Sequence, residues 1–303
     1  MGSRILVPLD GSSLAEQALP CAVTLARGLP GELVLLRAVW IPPDILEMLG
    51  ESTVELNAIV AQLEAEANGY LDPLVEQLRE AGLNARFVVR RGPAAETILD
   101  YASQVNVDQI VMATHGYSGI KHWTHGSVAE RVLQAARMPL LLVRVSEQDL
   151  ASDWQQPARC HRILVPLDGS PVAEQILPSV VSVAQAMSGE LVLFQVPIAH
   201  VSGWMTGEWY LPIQGVLETA EAAAEAYLRT TAGRLEGQGV KVTTATSIGS
   251  VANCIIEYAA VNSIDLIAMC PHGRTGLARW ALGSVADRVL RAGATPILLV
   301  RAQ

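Results

Sequence analysis

The feature that most constrains this chain is a duplication. RILVPLDGSSLAEQALP at 4–20 recurs as RILVPLDGSPVAEQILP at 162–178, identical at 14 of 17 positions with an offset of 158. GELVLL at 31 returns as GELVLF at 189, and MPLLLVR at 138–144 returns as TPILLVR at 295–301. A third pair, ATHGYSGIKHWTHGSVAERVL at 113–133 and CPHGRTGLARWALGSVADRVL at 270–290, agrees at 11 of 21 positions. Solenoid repeats are shorter than this, so each half is expected to be a complete domain. The 303 residues then divide into domains at 1–145 and 162–303, joined by the polar stretch 146–161. Each half is long enough to bury a core of its own.

Within a half, strand and helix alternate. ILVPLD is a short apolar run ending at Gly11, and Ser12 or Ser13 can cap the helix that follows. That helix is expected to reach about Arg27 with a kink at Pro20, and its counterpart to kink at Pro178. ELVLLRAV (32–39), ARFVVR (85–90), QIVMA (109–113) and PLLLV (139–143) bring the strands to five. Helices are expected around 57–81, 94–105 and 126–137, the first stopping at Gly82. Near-continuous apolar strands alternating with helices mean a parallel sheet covered on both faces. The expectation is therefore α/β: two tandem doubly wound domains, each a five-stranded parallel sheet with helices on both faces.

Composition removes several function classes. Half the residues are hydrophobic and 17% are charged, which excludes a disordered chain. No apolar run reaches the roughly 18 residues that span a bilayer, and MGSRILVPLD lacks the build of a signal peptide, so no membrane partner is expected. The four cysteines (Cys21, Cys160, Cys254, Cys270) form neither a close pair nor a metal spacing, which suits a reducing cytoplasm. A net charge of −9 leaves no basic face for nucleic acid.

The third repeated segment asks for a function. Ala113, Gly116, Gly119 and Gly126 put unusually little side chain into a loop that leads to a helix, and the second half repeats the pattern with Cys270, Gly273, Gly276 and Gly283. In doubly wound sheets ligands bind beyond the carboxyl ends of the strands, where strand order reverses. Gly126-Ser127 and Gly283-Ser284 open the helices there. Free N–H groups, the positive end of the helix dipole and a hydroxyl make an anion site, and glycine lets phosphate approach the backbone. A tight turn with a serine cap is the plainer alternative. The first strand leads into DGSS, which is not Gly-x-Gly-x-x-Gly, and no Gly-Lys-Ser/Thr follows the loop, so neither a dinucleotide fingerprint nor a P-loop is present.

On these residues the chain resembles the universal stress proteins in their tandem two-domain form. The resemblance covers nearly all of both halves and rests on ILVPLDGS near each start, the glycine loop and the closing P-L/I-L-L-V-R. It implies the adenine nucleotide alpha hydrolase-like fold. The ATP-binding branch of that family carries Gly-x-x-Gly, nine residues, then Gly-Ser/Thr. Gly116, Gly126 and Ser127 match it, as do Gly273, Gly283 and Ser284, with nine residues between the glycines each time. The leading glycine is absent from both: Ala113 and Cys270 stand there, and Pro271 after Cys270 has no N–H to donate. The resemblance further implies that Pro8 and Asp10, with Pro166 and Asp168, lie beside the nucleoside, and that Val39 and Val196 hold the position whose backbone meets adenine. Val128 and Val285, next to the paired serines, belong to the implied nucleotide sets. The implied ligand is ATP, with or without Mg2+, and AMP or cyclic AMP stay open. The implied partners are the adenine nucleotide, a pseudo-dimer of the two halves through their last strands, and a homodimer through remaining apolar surface.

Asp10 itself reads two ways, as an acceptor for ribose hydroxyls or as a turn residue capping the first helix. A carboxylate would repel phosphate, so the phosphates must lie toward the glycine loop. His115 and His272 occupy the same loop slot and either donate to phosphate or are simply solvated; Arg274 can reach phosphate where the first half has Tyr117. His115, His122 and His125 do not make a convincing metal set, because Arg279 and Leu282 replace the last two in the second half. Cys270 reads as a reactive thiol or as a small residue filling a tight site. WMTGEWYLP, with Trp204, Trp209 and Tyr210, reads as a core plug or a ligand lid. No nucleophile, base and orienting acid stand at a usable spacing, and the only lysines are Lys121 and Lys241. A phosphoryl-transfer enzyme ordinarily supplies such charge at its phosphate loop. The expectation is a cytoplasmic regulatory binding protein of the stress response, with slow hydrolysis at most. A nucleotide-independent scaffold or holdase, and an adenylating enzyme of the same fold, are the alternatives.

Overall fold

A computed structural model divides the chain into two compact units, Met1–Ala158 and Arg159–Gln303. It describes residues 2–42, 53–115, 127–145, 158, 160–197, 213–271 and 282–301. Most of the 146–161 connection lies outside them.

The first unit runs β1 (Ser3–Pro8), α1 (Ser13–Glu16), α2 (Leu19–Gly28), β2 (Gly31–Val39), α3 (Thr53–Glu80), β3 (Ala85–Arg91), α4 (Ala94–Gln104), β4 (Gln109–His115), α5 (Ser127–Ala135) and β5 (Leu140–Val145). All its strand pairs are parallel, in the order β3-β2-β1-β4-β5. The chain moves outward from β1 to β3, then returns to add β4 and β5 on the other side. Because parallel crossovers are right-handed, that reversal puts α2 and α3 on one face and α4 and α5 on the other. The strands are apolar throughout for this reason: Ile5, Leu6 and Val7 of β1 are all buried, as are Leu33 to Leu36 of β2 and Leu140 to Val143 of β5.

The second unit repeats the plan with β6 (Arg162–Pro166), α6 (Pro171–Glu174), α7 (Leu177–Ala186), β7 (Glu190–Gln195), α8 (Ile213–Glu236), β8 (Lys241–Thr246), α9 (Val251–Val261), β9 (Leu266–Met269), α10 (Ser284–Ala292) and β10 (Ile297–Leu299). Its order is β10-β9-β6-β7-β8, again parallel. The doubly wound α/β expectation is met in both halves.

One local expectation is corrected. Pro20 does not kink a helix running to Arg27; the helix stops at Glu16 and a new one starts at Leu19, with the proline in its first turn. Pro178 does the same between α6 and α7. The first turn of a helix needs no N–H from proline, so restarting costs less than bending. No described helix is long and apolar enough to cross a membrane.

Candidate functional site

Strand order reverses between β1 and β4, which pair at Ile5–Gln109 and Leu6–Ile110. Beyond their carboxyl ends lies a cavity of about 240 Å³. Pro8, Leu9 and Asp10 line it from the end of β1, Leu36 and Ala38 from β2, and Met112, Ala113 and Thr114 from β4. Ser12, Leu14 and Ala15 close one side, Ala94 and Ile98 of α4 another, and Ser127, Val128 and Ala129 bring in the start of α5. The wall is mostly apolar with a few polar atoms where the strands end, the usual make-up of a small-molecule site.

The sequence makes the floor of this crevice by a tight turn. Gly11 has φ +87° and Gly169 φ +80°, a backbone conformation that side chains disfavour. The turn is locked by Asp10, whose Oδ1 accepts from the Ser12 N–H at 2.9 Å and from the Ser12 hydroxyl at 2.6 Å. Ser12 Oγ in turn accepts from the Ala15 N–H at 3.1 Å, capping α1. Asp168, Ser170 and Ala173 repeat the arrangement. Beside the turn, the Arg37 guanidinium stands 5.3 Å over the ring of Tyr70, whose hydroxyl donates to Glu16 at 2.7 Å. Burial, reinforced by Glu16, pushes the Tyr70 hydroxyl well above its ordinary pKa.

Of the residues expected in the first site, Pro8, Asp10, Ala113, Ser127 and Val128 all line the cavity. Gly116, Gly119 and Gly126 lie outside the described residues, as does the side chain of His115. Val39 does not line it; Ala38 does. The reason is the strand period: Leu36 and Ala38 share one face and Val39 takes the other. Hydrogen bonds confirm the register, because Leu9 N–H donates to Leu36 and Leu167 N–H to Phe194, each at 2.8 Å. Val196 is therefore the counterpart of Ala38, not of Val39. Sequence reasoning missed Ala38, Ile98 and Thr114 as wall residues. Applying the 158-residue offset to Val196 would have found the first.

In the second unit Pro166 and Asp168 end β6 as Pro8 and Asp10 end β1, and Ser284 and Val285 open α10. His272, Gly273, Arg274 and Gly276 lie outside the described residues. What is described differs from the first unit. The Cys270 thiol is buried and donates to the Ala173 carbonyl at 3.8 Å. Ala173 corresponds to Ala15, a wall residue of the first cavity, so the sulfur occupies room that Ala113 leaves open. Burial pushes this thiol up to about 12, against a lowering contact from the Ile176 backbone and with Asp168 adding to the rise. Pro271 replaces Thr114, and its carbonyl accepts the Gly283 N–H at 2.9 Å. A donor just ahead of α10 is thus taken up inside the chain. No group of three or more histidine, cysteine or carboxylate side chains among the described residues could hold a metal.

Comparison with known proteins agrees with this architecture. The model of the family described as "Universal stress protein family" matches residues 1–144 and again 160–301. The universal stress protein Slr1230 of Synechocystis sp. is 24% identical over 316 residues, covering 98% of this chain and 99% of its own. The universal stress protein YxiE of Bacillus subtilis is 30% identical over 148 residues, 48% of this chain and 100% of its own. Among solved structures, a universal stress protein from Archaeoglobus fulgidus superposes with a TM-score of 0.73 at 19% identity, covering 98% of each chain.

Proposed function

Since the chain belongs to the universal stress protein family, we propose that it is an adenine-nucleotide-binding member that takes ATP in the crevice of its first unit. The single observation that carries this reading is the cavity at the strand-order reversal, flanked by Asp10 on one side and the opening turn of α5 on the other. An apolar slot between Leu36, Ala38 and Ile98 suits a flat base. Both hydrogen bonds from Ser12 fall on Asp10 Oδ1, which leaves Oδ2 to accept from a ribose hydroxyl. The first N–H groups of α5 and the exposed Ser127 suit the phosphates. About 240 Å³ holds a nucleoside-sized group, so the outer phosphates extend beyond it.

The protein acts by binding, with the nucleotide setting its conformation or choice of partner. The first unit is the tighter of the two. In the second, the Cys270 thiol narrows the crevice and Pro271 lacks the N–H and the hydroxyl that Thr114 supplies.

Mass spectrometry of protein denatured straight after purification, followed by calorimetric titration with ATP, tests the reading. A copurified adenine nucleotide or a micromolar ATP isotherm supports it. A protein that carries none and shows no heat with ATP, AMP or cyclic AMP is instead a nucleotide-independent scaffold.

A further inference from the structure

Thr114 is 2% exposed and its Oγ1 has no hydrogen-bond partner. A buried hydroxyl left unpaired is costly, and valine would fill the same space without that cost. The preceding residues of β4, Ile110, Val111 and Met112, are apolar, so nothing in the strand calls for a hydroxyl there. The orphan does not sit in a closed core: Thr114 lines the crevice together with Asp10 and Ser127. Leu6 and Ile110 are paired across β1 and β4, and Asp10 and Thr114 lie four residues beyond each of them. Thr114 thus stands at the level where β1 ends, two residues ahead of Gly116.

Resting on the nucleotide reading above, we propose that Thr114 contacts the ligand, its hydroxyl donating a hydrogen bond to a phosphate oxygen. Two facts favour phosphate over sugar. A phosphate oxygen only accepts, and the neighbouring α5 opening already gathers donors, whereas a ribose hydroxyl has the Asp10 carboxylate to receive its proton. The second unit supplies the contrast: Pro271 stands at the equivalent place, with neither hydroxyl nor N–H.

The experiment compares wild type, Thr114→Val and Thr114→Ser as full chains, titrating each with ATP and with adenosine and melting each without nucleotide. The expected result has three parts. Thr114→Val weakens ATP about ten-fold or more, the size of one hydrogen bond to a charged group, and leaves adenosine within about two-fold. Thr114→Ser keeps ATP affinity near wild type. The nucleotide-free Tm of Thr114→Val is equal to or above wild type, because an unpaired hydroxyl has been replaced by a methyl. ATP affinity unchanged in Thr114→Val, while wild type binds, overturns this assignment and leaves the nucleotide reading standing. Equal weakening of ATP and adenosine overturns the phosphate contact in favour of the sugar. A wild type that binds no nucleotide at all overturns both.

Discussion

Asp10 combines two roles that a reading of the sequence keeps apart. Its Oδ1 holds the Ser12 turn while the residue also forms part of the cavity wall, so the capping and binding alternatives are not exclusive. Ser12 passes the constraint on by capping Ala15. Ser12→Ala should cost about 1 kcal/mol, the typical worth of a serine cap, and Ser170→Ala a similar amount in the second unit. Denaturant midpoints measure both, and a variant as stable as wild type removes the cap from the account. Cys270 is legible only in hindsight. The sequence offered a reactive thiol or a space-filler, and burial decides it: with the pKa raised to about 12, thiolate is scarce at neutral pH. All four cysteines are buried and none is in a disulfide. Native protein at pH 8 should react with a thiol reagent no faster than it opens, and guanidinium should expose four thiols. A fast-reacting fraction in the native state contradicts this.

At the scale of elements, the strands were legible because a strand buried on both faces must be apolar along its length, and Leu33 to Leu36 carry that signal directly. The break at Pro20 was less so. Proline forbids a helix interior but is welcome in a first turn, and sequence alone does not say which side of it the break falls. Proline does stand inside the long helix α3, at Pro73. Val39 and Val196 read as matching positions, but the hydrogen-bond register makes Val196 the counterpart of Ala38, and one residue along a strand is a change of face. A second repeated element lies at the opposite end of the strands from the crevice. Glu32 near the start of β2 pairs with Arg86 at 2.8 Å and Arg4 at 3.0 Å, and Glu190 with Arg162 at 2.9 Å and with Lys241. The Arg86 hydrogen bond, helped by Arg4, holds the Glu32 carboxyl below its ordinary value near 4.5, and Lys241 leads the same effect at Glu190. A carboxylate depressed in the folded state stabilises above the unfolded pKa and loses that contribution as pH falls through the folded one. Stability should therefore drop below about pH 4.5, and Glu32→Gln with Glu190→Gln should flatten that acid limb while costing about 1 kcal/mol or less per pair at neutral pH. An acid limb as steep in the double variant as in wild type places the sensitivity elsewhere.

For the whole molecule, duplication is what made the fold readable and what hid the difference between the halves. Two copies of ILVPLDGS and two glycine loops suggest two equal sites, since the glycines recur at the same spacing in both halves. Among the substitutions that separate the sites, two are small and adjacent: Ala113 against Cys270, and Thr114 against Pro271. A sulfur atom adds little to a composition count, yet it sits against the Ala173 carbonyl where the first crevice keeps open space. Proline removes a hydroxyl and a backbone donor together. A missing hydrogen bond to a charged group weakens binding by about ten- to a hundred-fold, and a narrowed crevice compounds that loss. Titration of the full chain should accordingly show one ATP per chain at concentrations that saturate the first site. Restoring the first unit's residues in the second, as Cys270→Ala with Pro271→Thr, should open the slot and return the hydroxyl, raising the stoichiometry toward two. Two equal sites in wild type would show that neither the thiol nor the proline closes the second crevice. A stoichiometry that stays at one in the double variant would place the block elsewhere, with Phe194 and Val196, the counterparts of the wall residues Leu36 and Ala38, the next to test.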